Sequence, residues 1–389
     1  MTKQFLFSLL FVLTTLIFLL TSLFCPINAK AAPSLEEMVG AMLMCGFRGM
    51  ESPDKDFLTL LAQGHLGHVI LFDRDVEKKE PRNIASRSQL KALIKRLRST
   101  KNGPMLIAVD QEGGQVTRLK AQYGFSSIPK AASMGTMTED SVQAIAFQSG
   151  KEMKEVGINL DFAPCVDVAS GSHSVIAQLG RSFHQDERIV SSHGQAFAKG
   201  LWEAGIIPTL KHFPGIGCAS HDSHLGRSDV ASCFSESRDL APYKKAIQEG
   251  FCGMIMVGHV HTKMDPVRPA SLSPILINGL LRQQLGWNGV VISDDLQMGA
   301  IIQQYTLSQA IQMAIEAGVD ILLFGNNLNW RENMAQEAYR TLLDLVKKGV
   351  IKKERIAQSY ARIQGLMAKE KEKGLNEKEY SEITLHSAF

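Results

Sequence analysis

From Pro33 onward the chain alternates short, unbroken apolar runs with amphipathic stretches, and that alternation leaves few folds open. A strand half-exposed to water shows apolar residues at every second position. A run that is apolar throughout is buried on both faces, as in a parallel sheet covered by helices. Such runs fall at 66–72, 104–110, 158–164, 205–210, 251–257, 289–294 and 319–325. Helical patterns fall between and beyond them, at 85–97, 141–156, 187–204, 237–248, 273–285, 307–317 and 330–348. Ser34 followed by Leu-Glu-Glu opens like a capping box and predicts a first helix reaching about Cys45. Seven or eight strand–helix units over roughly 330 residues predict a single (β/α)8 TIM-type barrel spanning 34–367. A doubly wound open sheet is the alternative, but the dinucleotide fingerprint and the P-loop are both missing. The last stretch, 368–389, is dense in Lys and Glu and is expected to be a frayed, charged tail rather than a second domain.

Hydrophobic residues at 45% and charged residues at 21% suffice for a full core. A formal net charge of only +3 gives no footprint for nucleic acid. The N-terminus differs from the rest. Lys3 precedes an apolar run from Phe5 to Phe24, and Asn28-Ala-Lys-Ala-Ala follows with small-residue cleavage sites after Ala29 or Ala31. Residues 1–31 therefore predict a secretory signal or an uncleaved membrane anchor, since the run is long enough to span a bilayer. Phe24 before Cys25 argues against lipoprotein processing. Export to the periplasm or beyond is expected. Past the signal, Cys45, Cys165, Cys218, Cys233 and Cys252 show no Cys-x-x-Cys pair and no zinc spacing. Cys218 and Cys233 bracket a polar loop, so the sequence leaves open a disulfide there or five reduced thiols.

In a parallel barrel the chemistry sits at the C-terminal ends of the strands. Those ends carry Asp110-Gln-Glu112, Asp161 and Asp167, Lys211-His212, His259 and His261, Ser293-Asp294-Asp295, and Gly325-Asn326-Asn327. One such group could be a strand cap; a full set of them is hard to explain by structure alone. The stretch from Lys211 to Arg227 adds a loop, broken by Pro214, Gly215 and Gly217, that carries Asp222-Ser-His224. In an extended chain residues two apart point to one side, so Asp222 would orient the His224 ring and raise its proton affinity, as a general acid/base requires.

A strand-end carboxylate facing an acid/base group on a mobile loop suits glycoside hydrolysis through a covalent intermediate, with Asp294 or Asp295 as nucleophile. Lys211, His212 and Asp110 would hold sugar hydroxyls. Two other classes stay open on the residues alone. A metal-dependent hydrolase could use His259 and His261 with the lysine and an aspartate, although the His-x-His follows the lysine rather than closing the first strand. An exported, non-catalytic sugar-binding protein would have no use for the Asp-Ser-His loop.

Taken in order, Asp110-Gln-Glu-Gly-Gly, Lys211-His-Phe-Pro-Gly, Asp222-Ser-His224, Pro269-Ala-Ser-Leu-Ser and Ser293-Asp-Asp-Leu-Gln-Met resemble glycoside hydrolase family 3. The resemblance is to its β-N-acetylhexosaminidase (NagZ-like) branch and runs from about Ser34 to Met367. It implies a retaining exo-β-N-acetylglucosaminidase with no metal or organic cofactor, acting on muropeptide fragments or other hexosaminides. It makes Asp294 the nucleophile and His224 the acid/base assisted by Asp222, with substrate contacts from Asp110, Arg118, Arg181, Lys211 and His212. The only partner called for is a small glycoside, and a monomer is expected. Ile216 stands where the family commonly has a second histidine, and Gln115 where many members have arginine. Single-domain members are often cytoplasmic, so the N-terminal segment is a third departure.

Overall fold

Eight short strands, numbered in chain order, form the hub. They are β1 Leu43–Gly46, β2 His68–Ile70, β3 Ile107–Val109, β4 Leu160–Asp161, β5 Ile207–Phe213, β6 Met254–Val257, β7 Val290–Ser293 and β8 Leu322–Phe324. Each pairs in parallel with its sequence neighbour, and β1 pairs with β8. A bridge between Ile292 and Ile321, with the Ser293 N–H donating to the Ile321 carbonyl at 3.0 Å, joins β7 to β8 and closes the ring. The fold is the (β/α)8 barrel expected from the alternation, not the open sheet. The computed structural model describes residues 32–386 except Asn102 and Ser172, so the apolar N-terminal run and its cleavage sites lie outside the described residues. Among the described residues no helix is long and apolar enough to cross a membrane.

The apolar runs earn their place by burial on both sides. All seven residues of β5 are buried, and so are all four of β1, β6 and β7. Helices such as Glu139–Val156, Glu187–Glu203 and Leu307–Ala317 turn their apolar stripes inward onto the strands. The Leu307–Ala317 helix opens with a reciprocal capping box between Thr306 and Gln309. At the foot of the barrel the buried Asp320 accepts from Arg282 (2.8 Å), Arg362 (3.0 Å), the Ser359 hydroxyl (2.6 Å) and the Val291 N–H (3.0 Å). A carboxylate this deep is tolerated because so many donors replace its water.

Three expectations need correction. The first helix is Leu35–Gly40 and does not reach Cys45. At Gly40 an added Cβ would lie 1.9 Å from the Gly64 carbonyl oxygen, so the chain passes another segment at a distance only glycine allows. Beyond it Leu43 and Met44, good helix formers by propensity, join Cys45 and Gly46 in β1 because β2 and β8 supply pairing partners on both edges. The second correction is that β5 outruns its apolar residues and carries Lys211 and His212 inside the strand, leaving the loop to start at Pro214. Third, residues 368–386 of the stretch expected to fray belong to a helix, Lys353–His386, along which Glu370 pairs with Lys154 at 2.7 Å.

Candidate active site

The C-terminal ends of the strands surround a cleft of about 340 Å3, in the size range of small-ligand sites. Asp110, Arg118, Arg181, Lys211, His212, His224 and Asp294 all line it, so of the residues given a role by the family resemblance only Asp222 is outside the lining, bonded to His224 from behind; the strand-end residues Asp161, Asp167, His259 and His261 do not line it. Apolar side chains, among them Phe72, Phe162, Met256 and Met298, complete the walls.

One side of the cleft is a lattice of paired charges. The Lys211 ammonium, almost wholly buried, donates to Asp110 Oδ1 at 2.9 Å and Glu112 Oε1 at 2.7 Å. Glu112 also takes both arms of Arg181, at 2.7 and 2.9 Å, a bidentate fork. The other oxygen of Asp110 accepts from Arg118 at 3.1 Å. Burial alone would push both carboxyls up. The cations beside them outweigh it, holding Glu112 down at about 2 and Asp110 well below the usual carboxylate range. The Lys211 ammonium is held in its charged form by the same two carboxylates against its own burial. Behind them burial pushes Asp161 up to about 8, against the pull of Lys211. Paired this way, the cations and carboxylates face the cleft with fixed positions, a set of donors and acceptors suited to hydroxyl groups.

Glu112, marked in the sequence only as part of a strand end, is the carboxylate that ties Lys211 to Arg181. Asp167 was read as a strand end; it proves to be the holder of His212. Its carboxylate accepts from His212 Nδ1 (2.7 Å) and from the backbone N–H of Ile216 (2.8 Å), and the Cys165 thiol donates to it (3.2 Å). His212 Nε2 is thereby turned to Arg181, 3.4 Å away. Cys165, Asp167 and His212 are of metal-ligating type and lie close together. Each is already bonded within the protein, and the group acts as a hydrogen-bonded support for the His212 ring.

Asp294 follows β7. Its N–H donates to the Val257 carbonyl (3.0 Å) and its Oδ1 accepts from the Asp295 N–H (2.8 Å), which orients the carboxylate. Burial opposes its ionisation, but the imidazoles of His259, His212 and His224 outweigh that and hold it below the ordinary value. Asp295 has the opposite balance. Its Oδ1 accepts from the N–H groups of Gly325 (2.9 Å) and Gln297 (3.0 Å), yet burial still pushes it up to about 6. Neighbouring aspartates, inseparable by pattern, are thus told apart by their surroundings. The histidines weighed as a metal pair also part. His259 lies beside Asp294 and Asp295, bonded to the Ser271 hydroxyl (2.7 Å) and the Asp295 carbonyl (2.9 Å). His261 instead neighbours Arg227, Asp229 and Asp265.

Asp222 and His224 sit on the loop as expected, but not by strand alternation. Asp222 Oδ1 accepts from both the His224 N–H (2.9 Å) and its ring Nδ1 (2.6 Å), inside a turn closed by the Leu225 N–H on the Asp222 carbonyl (3.0 Å). Both side chains are about half exposed, 40% and 48%. Burial draws the His224 ring down, but the Asp222 and Asp294 carboxylates raise it on balance above its ordinary value. The hydrogen bond to His224 in turn holds Asp222 at about 2.

Residues 34–366 match the family model described as the glycosyl hydrolase family 3 N-terminal domain. A beta-hexosaminidase of Tolumonas auensis is 38% identical over 294 residues, covering 73% of this chain and 83% of that protein. A secreted glycosyl hydrolase of Arthroderma benhamiae is 30% identical over 367 residues, covering 89% of this chain and 98% of the other. A solved family 3 β-N-acetylglucosaminidase from Paenibacillus sp. superposes with a TM-score of 0.80 at 33% identity, over 87% of this chain and 63% of that one. With the barrel, the motif order and the cleft in agreement with these matches, the chain is a glycosidase and belongs to glycoside hydrolase family 3.

Proposed function

We propose that the chain is a retaining exo-β-N-acetylglucosaminidase acting on β-N-acetylhexosaminides such as cell-wall fragments. Asp294 attacks the anomeric carbon; His224, oriented by Asp222, protonates the leaving oxygen and then takes a proton from the incoming water. The observation that carries this reading is that Asp294, drawn below its ordinary value by three imidazoles, shares one cleft with the His224 ring, which is hydrogen-bonded to Asp222 and drawn above its own. Asp110, Arg118, Arg181, Lys211 and His212 form the hydroxyl-binding wall. The activities carried by the related hexosaminidases support the choice of sugar. A panel of chromogenic substrates with and without chelator tests it. The β-N-acetylglucosaminide is expected to be cleaved far faster than the β-glucoside, with esters and amides untouched and chelator without effect. Amide hydrolysis, or loss of activity with chelator, would favour the metal-dependent hydrolase instead.

The same reading assigns 34–367 to the catalytic barrel, 368–389 to its charged end and 1–31 to an export signal. A disulfide between Cys218 and Cys233 supports export, because such bonds persist in oxidising compartments. N-terminal sequencing of the native protein is expected to start at Lys30 or Ala32. An intact Met1 in a membrane fraction would mean an anchor, and an intact chain in the soluble cytoplasm would contradict export.

A further inference from the structure

The segment that carries Asp222 and His224 has little of its own to hold it. Between Ala219 and Ser228 no apolar side chain is buried, and Leu225, next to His224, is 80% exposed. Its attachments are a few polar contacts. The Gly299 and Ala300 N–H groups donate to the His224 and Ser223 carbonyls (3.1 and 3.2 Å), and the Ser228 hydroxyl to the His221 carbonyl (3.0 Å). Around them a covalent ring is closed by the disulfide from Cys218 to Cys233, 15 residues apart. At the position where the family commonly has a second histidine at the root of the loop, this chain has Ile216, whose side chain packs on the core. The loop root is held by the packing of Ile216, by the Ile216 N–H on Asp167 (2.8 Å) and by the disulfide.

We propose that Cys218 and Cys233 are positioning residues for the acid/base dyad, and that reducing their bond uncouples His224 from the leaving group. The inference rests on the assignment of His224 as acid/base. An external dithiol supplies two electrons and two protons. The Cys218–Cys233 sulfur–sulfur bond breaks to two thiols, and the dithiol closes to its own disulfide. Both sulfurs belong to half-buried residues within reach of a small reductant, whereas Cys45 and Cys165 are buried free thiols. Once the ring opens, the polar contacts alone must place an imidazole to within hydrogen-bond reach of an oxygen, and small misplacements of such groups are expensive. The effect falls only where a proton is needed. An alkyl leaving group, as in a natural disaccharide, requires the acid; an activated aryl leaving group does not.

The test compares oxidised wild type, dithiothreitol-treated wild type, Cys218→Ser/Cys233→Ser, Cys252→Ser and His224→Ala, on a disaccharide and on an activated aryl glycoside. For the reduced and double-serine proteins, kcat/KM on the disaccharide is expected to fall about tenfold, while kcat/KM on the aryl glycoside, which also reports that the site is folded, stays within about twofold. Reoxidation restores the wild type, Cys252→Ser keeps its sensitivity to dithiothreitol, and the double-serine protein has none. An equal loss on both substrates would mean general destabilisation and overturn the proposal. So would a disaccharide rate unchanged by reduction while His224→Ala is impaired. If His224→Ala itself hydrolyses the disaccharide normally, the acid/base assignment fails, which is a separate result.

Discussion

Asp294→Ala is expected to lose nearly all turnover, roughly 10^4-fold or more in kcat, on activated and unactivated substrates alike. The size follows from what the residue does. A covalent intermediate cannot form without it, and no other carboxylate can take its place. Glu112 and Asp110 are tied to cations on the opposite wall. Asp295 holds the N–H groups of Gly325 and Gln297 and is a weaker acid. A rival mechanism lets the acetamido oxygen of the substrate attack while the carboxylate only orients it. A 2-fluoro sugar separates the two, because it slows breakdown of a glycosyl-enzyme. Digestion after trapping is expected to give a labelled peptide containing Asp294. A label on another residue, or no label from a substrate lacking the acetamido group, would overturn the assignment. The charge balance also sets the acidic side of the pH profile. The neighbouring imidazoles hold the Asp294 carboxyl below its ordinary value, so activity is kept as pH falls until that carboxylate is protonated.

Much of this was legible before the fold was known, for identifiable reasons. Seven strands announce themselves because burial on both faces leaves runs that are mostly apolar, as in β6. β1 did not, because Leu43 and Met44 lie close behind a helix and are themselves helix formers; only partners far along the chain, such as Val69 and Phe324 against Cys45, make a strand here. The site residues at strand ends were visible as polar groups closing apolar runs. What could not be seen was pairing across the barrel. That Glu112 holds both Lys211 and Arg181, and that Asp167 holds His212, depends on contacts between residues 99, 69 and 45 positions apart, which no local pattern encodes. The turn that makes Asp222 bind its own neighbour's backbone was likewise read as an extended segment, since Asp-x-His suits either.

His224→Ala is expected to separate the two halves of the reaction. Loss of a general acid costs about 10^2- to 10^4-fold where the leaving group needs protonation, so hydrolysis of a disaccharide should fall by that order. An activated aryl leaving group departs without help, and the first step survives. The second step does not, because no base remains to take the proton from water. The variant should therefore release a burst of aryl alcohol and accumulate glycosyl-enzyme on Asp294. Added azide, a nucleophile needing no base, is expected to restore turnover and yield the glycosyl azide. Asp222→Ala acts on the same proton more gently. In the wild type the ring is held above its ordinary value of about 6.5 by Asp222 and Asp294 acting against burial. The acid must be protonated to work, so the raised value keeps the alkaline limb of kcat/KM high. Without Asp222 the burial penalty meets less opposition, and the limb should move to lower pH. The acidic limb, set by Asp294, should shift far less. The readout is the kcat/KM profile of the disaccharide from acid to alkali. An alkaline limb that stays in place in Asp222→Ala would show that the carboxylate does not tune this histidine. Wild-type disaccharide rates in His224→Ala would remove the histidine from the reaction.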